Sequence, residues 1–129
     1  MVHRRFYFNK IIRDRLPQMM QNTGINVVGH GMNGDEYGQR LREKLVPEVS
    51  EVCTAITPKD VSEEIGDVLE VLKALARHHH LDFPQVMASA EQKTAEKGGF
   101  ANPLCIDYME IPENFILDDG IQRPQNYTK

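Results

Sequence analysis

Hydrophobic side chains recur at helical spacing from about residue 35 onward, and this pattern predicts a long first helix. Its apolar positions are Leu41, Leu45, Val49, Val52 and Ile56. Pro47 falls inside the pattern. Because a proline in mid-helix removes a backbone hydrogen bond and clashes with the preceding turn, we expect a kink at this point.

A second helical pattern follows a start signal, which is either Thr57 before Pro58 or a capping box that begins at Asp60. The apolar positions of this helix are Val61, Ile65, Val68, Leu69, Leu72, Leu75 and Ala76. Basic side chains at residues 77–80 suit the negative end of the helix dipole. The two patterns together predict a pair of helices joined by a short connection, which would pack antiparallel.

Weaker patterns lie on both sides of this pair. A short helix is expected near residues 13–21, and a further helix from Pro84 to Lys97, ended by the two glycines at 98–99. Residues 104–111 alternate moderately and predict a short strand. The remaining residues, 112–129, read as an extended tail.

Two acidic pairs stand out on the predicted helices: Glu48 with Glu51, and Glu64 with Asp67. Each pair has i, i+3 spacing, so both of its carboxylates lie on neighbouring positions of one helix face. At about 100° per residue, Glu48 falls inside the apolar face of the first helix and the other three acids border an apolar face. An antiparallel pair of helices would bring all four together.

Four clustered carboxylates repel one another unless cations lie close to them. An all-oxygen set of ligands favours a hard cation, Mg²⁺ or in its place Mn²⁺. Ion pairs with Arg13, Arg40 or Lys93 are an alternative explanation, because charged side chains on helices are usually exposed and paired only with one another or with water.

The bulk composition of the 129 residues, 40% hydrophobic and 26% charged, is typical of one globular domain. The net charge is −4 with no basic stripe, which argues against nucleic-acid binding. No apolar run is long enough to cross a membrane, and no signal peptide is apparent. Two distant cysteines, Cys53 and Cys105, predict a reduced, cytoplasmic protein in which both serve packing.

The two acidic pairs, in this order and spacing, resemble the metal-binding signature of the all-α nucleoside triphosphate pyrophosphatases, the MazG-like superfamily. Residues 8–17 and 93–100 are similar to a branch of small, single-domain members labelled phosphoribosyl-ATP pyrophosphohydrolase-like. Pro47 departs from the family pattern, because it stands where the first Glu of E-E-x-x-E is expected.

This resemblance implies a mainly α fold, an antiparallel helical bundle, forming one domain over residues 1–129 with a core of about 6–111. It implies Mg²⁺-dependent hydrolysis of a nucleoside triphosphate between the α and β phosphates, in a homo-oligomer that is a dimer or tetramer. The four acids would hold the metal and perform catalysis. The residues expected to bind substrate are Asn9, Lys10, Arg13, Lys93 and Lys97.

Two alternatives stay open within this resemblance. One is hydrolysis of phosphoribosyl-ATP in histidine synthesis, and the other is a nucleotide-binding module without turnover. A helical bundle with a purely structural role is a further alternative, and its stability would not depend on metal. The retained acidic pairs argue against this bundle and against the module without turnover.

Overall fold

The fold is mainly helical, as the sequence predicts. A computed structural model describes residues 4–113, which contain four helices and no strand. The helices are α1 (Leu16–Asn22), α2 (Gly34–Thr54), α3 (Pro58–His78) and α4 (Phe83–Lys97). Within the described residues, no helix is both long and apolar enough to cross a membrane.

Helix α2 begins at a well-formed cap and runs without a break through Pro47. The Asn33 side chain accepts a hydrogen bond from the backbone N–H of Glu36 at 2.9 Å. Asp35 and Glu36 place negative charge in the first turn, where the helix dipole favours it. Because Pro47 has no N–H, the carbonyl of Glu43 loses its helical partner, yet α2 continues to Thr54.

Helix α3 starts at the first of the two predicted signals. The Thr57 side chain accepts a hydrogen bond from the backbone N–H of Asp60 at 3.1 Å, and Pro58 occupies the first turn. The helix ends at His78, with Arg77 also in its last turn.

Helices α2 and α3 form an antiparallel hairpin, joined by the short connection at residues 55–57. The start of α2 meets the end of α3: the Tyr37 ring stacks on that of His78 with centroids 5.6 Å apart. Further along α2, Arg42 Nη2 lies 2.8 Å from Nε2 of His79. The buried hydrophobic side chains of the described residues are Leu41, Val71 and Ala76, all on these two helices.

Some local expectations need correction. Residues 104–111 form no strand. The physical reason is that a strand needs a partner to satisfy its backbone groups, whereas no other strand exists among the described residues.

Cys53 and Cys105 are free but exposed, so the predicted packing role is wrong for both. Helix α1 is shorter than predicted, and most of the predicted extended tail lies outside the described residues.

The chain divides into two compact units, Met1–Gln92 and Lys93–Lys129. The first contains the α2–α3 hairpin, and Lys73 Nζ lies 5.9 Å from the ring centroid of Phe83 at the start of α4. In the second, α4 ends at Lys97 as predicted, and Gly98 takes the left-handed φ of +86° while its N–H bonds to the Thr94 carbonyl at 2.8 Å. The single-domain organisation stays a prediction.

Two glycines on the hairpin provide a test of the packing. A Cβ on Gly38 would lie 2.5 Å from Nε2 of His78, whereas a Cβ on Gly66 would meet nothing within 4 Å. We expect Gly66→Ala to raise the free energy of unfolding by roughly 0.5–1 kcal/mol, because alanine is the better helix former.

Gly38→Ala should instead lower the free energy of unfolding, because displacing His78 from its stack on Tyr37 costs more than the helical gain; overpacking typically costs about 1–3 kcal/mol. Urea denaturation of the two variants beside the wild type measures both effects. Equal stabilisation by the two substitutions would contradict the close approach of His78 to α2.

Candidate active site

The α2–α3 hairpin brings together the four acids of the two sequence pairs. Glu48 and Glu51 come from α2, Glu64 and Asp67 from α3, and one carboxylate oxygen of each lies within 4.8 Å of the others. The i, i+3 spacing puts each pair on one helix face, and the antiparallel packing sets the two faces opposite each other. The four acids are called the carboxylate cluster below.

Burial changes across the carboxylate cluster. Glu48 is only 8% exposed, which is unusual for a carboxylate, and its Oε1 lies 3.0 Å from Nζ of Lys44 one turn earlier on α2. Glu64 and Asp67 are half-buried, and Glu51 is exposed. The cluster therefore extends from the interior of the hairpin to its surface, where a ligand can reach it.

Among the four acids, Glu64 is the one whose pKa is raised by its neighbours. A hydrogen bond with the side chain of Glu51, aided by desolvation and by the negative charges of Glu51, Asp67 and Glu48, raises the pKa of Glu64 from 4.5 to about 7. Its Oε2 atom is buried and has no hydrogen-bond partner. A buried carboxylate oxygen without a partner is costly, and a bound cation or a proton removes the cost.

Asp67 forms an ion pair with an arginine of residues 8–13, which are called the N-terminal segment below. Arg13 Nη2 donates to Asp67 Oδ1 at 2.8 Å, with the two side chains 57% and 41% exposed. Of the ion pairs considered as an alternative explanation for the acids, this one forms. An exposed pair of this kind contributes little to stability, so it does not by itself account for four acids in one place.

The donor set fits a divalent cation. Four carboxylate oxygens within reach of one another are the ligands that hard cations prefer. Lys44 and Arg13 contact two of the four acids, and they leave the cluster with a net negative charge. The Oε2 atom of Glu64, which has no hydrogen-bond partner, is available to such an ion.

Comparison with protein families gives one match, which extends from α2 to the end of α4. Residues 37–98 match the family model described as the MazG nucleotide pyrophosphohydrolase domain. The matched stretch, residues 37–98, is called the MazG domain below. The match indicates a hydrolase of nucleotide phosphoanhydride bonds, a class of enzyme that depends on a divalent metal. Comparison with curated proteins and with solved structures gave no match.

The MazG match contains the whole carboxylate cluster and, on α4, the predicted phosphate ligands Lys93 and Lys97. These two lysines are exposed and belong to the second compact unit, so their contact with phosphates stays a prediction. The predicted residues Asn9, Lys10 and Arg13 precede the match. Of the predicted substrate-binding residues, the structure brings Arg13 into contact with the cluster.

Asn9 and Lys10 lie beside the MazG domain rather than on its carboxylates. Both line a cleft of about 380 Å³ against α2, with Lys44 on the opposite side. Asn9 has the left-handed φ of +50°, and its carbonyl accepts a hydrogen bond from Arg40 Nη1 at 2.7 Å. Arg40 also pairs with Glu43 at 3.1 Å, and Glu43 is not one of the four acids of the cluster.

Sequence reasoning missed Lys44. Its Nζ is in contact with the most buried acid of the MazG domain, Glu48, and its side chain also lines the cleft. The i, i+4 spacing of Lys44 and Glu48 was available in the sequence as a signal, since such residues are neighbours on a helix.

The raised pKa of Glu64 predicts how the stability of the metal-free MazG domain depends on pH. Between about 4.5 and 7, Glu64 binds a proton in the folded chain but not in the unfolded chain. Its contribution is thus fully present below pH 4.5 and is lost as pH rises through 7. In a chelating buffer, we expect the wild type to lose thermal stability over this range relative to Glu64→Gln.

Melting temperatures of the two proteins at several pH values from 4.5 to 8 measure this difference, because the variant keeps every other titrating group. Parallel profiles would show that the carboxylate of Glu64 does not hold the proton.

Proposed function

We propose that this protein is a Mg²⁺-dependent nucleoside triphosphate pyrophosphohydrolase, which cleaves between the α and β phosphates to give a monophosphate and pyrophosphate. The observation that supports this most strongly is the convergence of Glu48, Glu51, Glu64 and Asp67 within 4.8 Å inside a MazG domain. In this proposal the same four residues are the metal ligands and the catalytic groups.

Mg²⁺ is the proposed ion because all four ligands are carboxylates, and Mn²⁺ would substitute because it prefers the same oxygen donors. When bound, such an ion supplies neutralising charge for the phosphates and lowers the pKa of coordinated water. The residues of the chain hold that ion in place. The net negative charge of the cluster, after Lys44 and Arg13 are counted, favours its binding.

Contact with the attacking water is assigned to Glu51. It is the exposed acid of the cluster, whereas Glu48 is buried and Glu64 and Asp67 are half-buried. A carboxylate on the solvent side of the site can accept a proton from that water as a general base. In this proposal Glu64, beside Glu51 in the cluster, helps to hold the ion.

Substrate phosphates carry more charge than one metal neutralises. Arg13 lies next to the cluster, and its guanidinium would move from Asp67 to a phosphate once the cation takes that carboxylate. Lys93 and Lys97, spaced i, i+4 on α4, are proposed as further phosphate ligands, and Asn9 and Lys10 as contacts beside α2.

The proposed biological role is removal of non-standard or excess nucleotides from the cytoplasmic pool. Phosphoribosyl-ATP hydrolysis would use the same metal chemistry on a different nucleotide, so a substrate panel distinguishes the two roles.

We also propose that the protein assembles as a homo-oligomer, a dimer or tetramer. The described residues bury few hydrophobic side chains, while several apolar side chains of α2 and α3 stay exposed, including Val46 at 71%, Val49 at 44% and Ile65 at 52%. Large apolar surfaces on helices are usually covered by another chain. A second copy of the hairpin presents the same surface and would cover it symmetrically.

The enzymatic proposal predicts pyrophosphate release that requires Mg²⁺ and the buried acid Glu48. We expect Glu48→Gln to lower kcat/KM by more than about a hundredfold, because even loss of a group that only supports a metal ligand commonly costs 10–100-fold. Pyrophosphate is measured with a panel of canonical and modified triphosphates and phosphoribosyl-ATP, with and without Mg²⁺.

The matched control is Glu70→Gln, an acid on α3 that pairs with Lys73 at 3.8 Å and is half exposed. It should retain activity. Full activity in Glu48→Gln, or release that is independent of metal, would contradict the proposed site.

The assembly proposal predicts a solution mass of at least twice the 14.8 kDa of one chain. Light scattering after size-exclusion chromatography measures it. A charge at the exposed apolar position in Ile65→Asp should reduce the mass, while circular dichroism shows that the helices persist. A wild type that is monomeric at micromolar concentration would contradict the proposal.

A further inference from the structure

The cleft beside the carboxylate cluster lies between the N-terminal segment and α2. Its volume is about 380 Å³. Phe8, Asn9 and Lys10 form one side, and Arg40, Lys44 and Pro47 lie on the α2 side. The cleft belongs to the first compact unit, as do all four acids of the cluster.

The two sides of this cleft are held together by direct contacts. Arg40 Nη1 donates to the Asn9 carbonyl at 2.7 Å and to Glu43 Oε2 at 3.1 Å, so one guanidinium links the N-terminal segment to α2. Arg13, further along the same segment, bonds to Asp67 on α3. These anchors on both helices position residues 8–13 across the hairpin before any ligand binds.

The charge of the cleft is opposite to that of the carboxylate cluster. Lys10, Arg40 and Lys44 contribute three positive charges to its lining, against one negative charge from Glu43. Pro47 adds an apolar surface at the position where the family pattern has an acid. A cationic and partly apolar cleft suits an anionic organic molecule and does not suit a free metal ion.

Lys44 connects the cleft to the carboxylate cluster. Its side chain lines the cleft, and its Nζ lies 3.0 Å from Oε1 of Glu48. A cation bound by the cluster would compete for that carboxylate and leave the ammonium group of Lys44 available to a phosphate. Phe8, 69% exposed, provides an aromatic surface on the opposite side of the same cleft.

We infer that this cleft binds the nucleoside part of the substrate, with the base against Phe8 and the adjoining phosphate on Lys44. The inference rests on the proposed function, in which the bond between the α and β phosphates lies at the carboxylate cluster. The nucleoside is attached to the α phosphate, so it must occupy a space directly beside the cluster. The cleft shares Lys44 with the cluster and meets that condition.

The two residues have separable roles. Stacking on an aromatic side chain recognises the base and is tolerant of its identity. A lysine that contacts a phosphate recognises charge alone. Phe8 is therefore a determinant for nucleotides over inorganic polyphosphates, and Lys44 is a phosphate ligand for both.

The test compares binding of two probes in the presence of Mg²⁺ by isothermal titration calorimetry. One probe is the α,β-methylene analogue of a nucleoside triphosphate, in adenine and thymine forms, which resists cleavage at the scissile position. The other is inorganic tripolyphosphate. We expect Phe8→Leu to weaken the nucleotide analogues about tenfold and to leave tripolyphosphate unchanged.

Lys44→Gln should weaken both probes by about tenfold or more, because it removes a charge-assisted hydrogen bond, and Lys44→Arg should retain most of the affinity. Matched controls are Tyr7→Leu, an exposed aromatic neighbour outside the cleft lining, and Lys59→Gln, an exposed lysine in the first turn of α3. Both controls should bind like the wild type.

Unchanged nucleotide affinity in Phe8→Leu, or equal loss for both probes, would overturn the assignment of the base to Phe8. Unchanged affinity in Lys44→Gln would overturn its role as a phosphate ligand. Either result, with Mg²⁺-dependent pyrophosphate release intact in the wild type, leaves the proposed function standing. A wild type that neither releases pyrophosphate nor binds the analogues would overturn the proposed function and this assignment together.

Discussion

The mutual repulsion of four carboxylates is the constraint on which the site depends. The packing of α2 on α3 holds one oxygen of each acid within 4.8 Å of the others, although like charges at this distance oppose folding. Three local responses reduce the repulsion in the metal-free chain. Lys44 pairs with Glu48, Arg13 pairs with Asp67, and the pKa of Glu64 rises to about 7. A divalent cation would replace all three responses at once.

The two ends of the hairpin have different physical characters. Where α2 begins and α3 ends, side chains pack closely: His78 approaches the backbone at Gly38 and stacks on Tyr37. Around the acids, by contrast, Gly66 has open space near it and the Oε2 of Glu64 has no partner. This division is common in enzymes, where well-packed regions provide the stability that a site of like charges lacks.

Basic residues of the N-terminal segment and of α2 have two roles. Arg13 of the segment pairs with Asp67, and Arg40 of α2 donates to the Asn9 carbonyl, so these contacts attach the segment to the hairpin. The same residues line or adjoin the space beside the acids, where an anionic substrate is proposed to bind. The sequence alone left a structural and a substrate-binding role open as alternatives. The contacts of Arg13 and Arg40 show the structural role. They also keep both side chains close to the proposed substrate-binding site.

The helices and the pairing of the acids could be predicted because the signals are local. Apolar spacing specifies the buried face of a helix, and Thr57 caps α3 through the N–H of Asp60, three residues away. The i, i+3 spacing of each acidic pair is likewise a property of one helix. The mainly α fold and the convergence of Glu48, Glu51, Glu64 and Asp67 follow from these signals with one added assumption, that consecutive helices pack antiparallel.

What only the tertiary structure decided depends on distances through space. The sequence could not show that Arg13 pairs with Asp67, that Lys44 also lines a cleft, or that Glu64 is the acid with the raised pKa. The strand expected at 104–111 is absent because a strand requires a partner, which local alternation cannot provide. Local periodicity therefore determined the helices and the chemistry they carry, and packing between elements determined which charges meet.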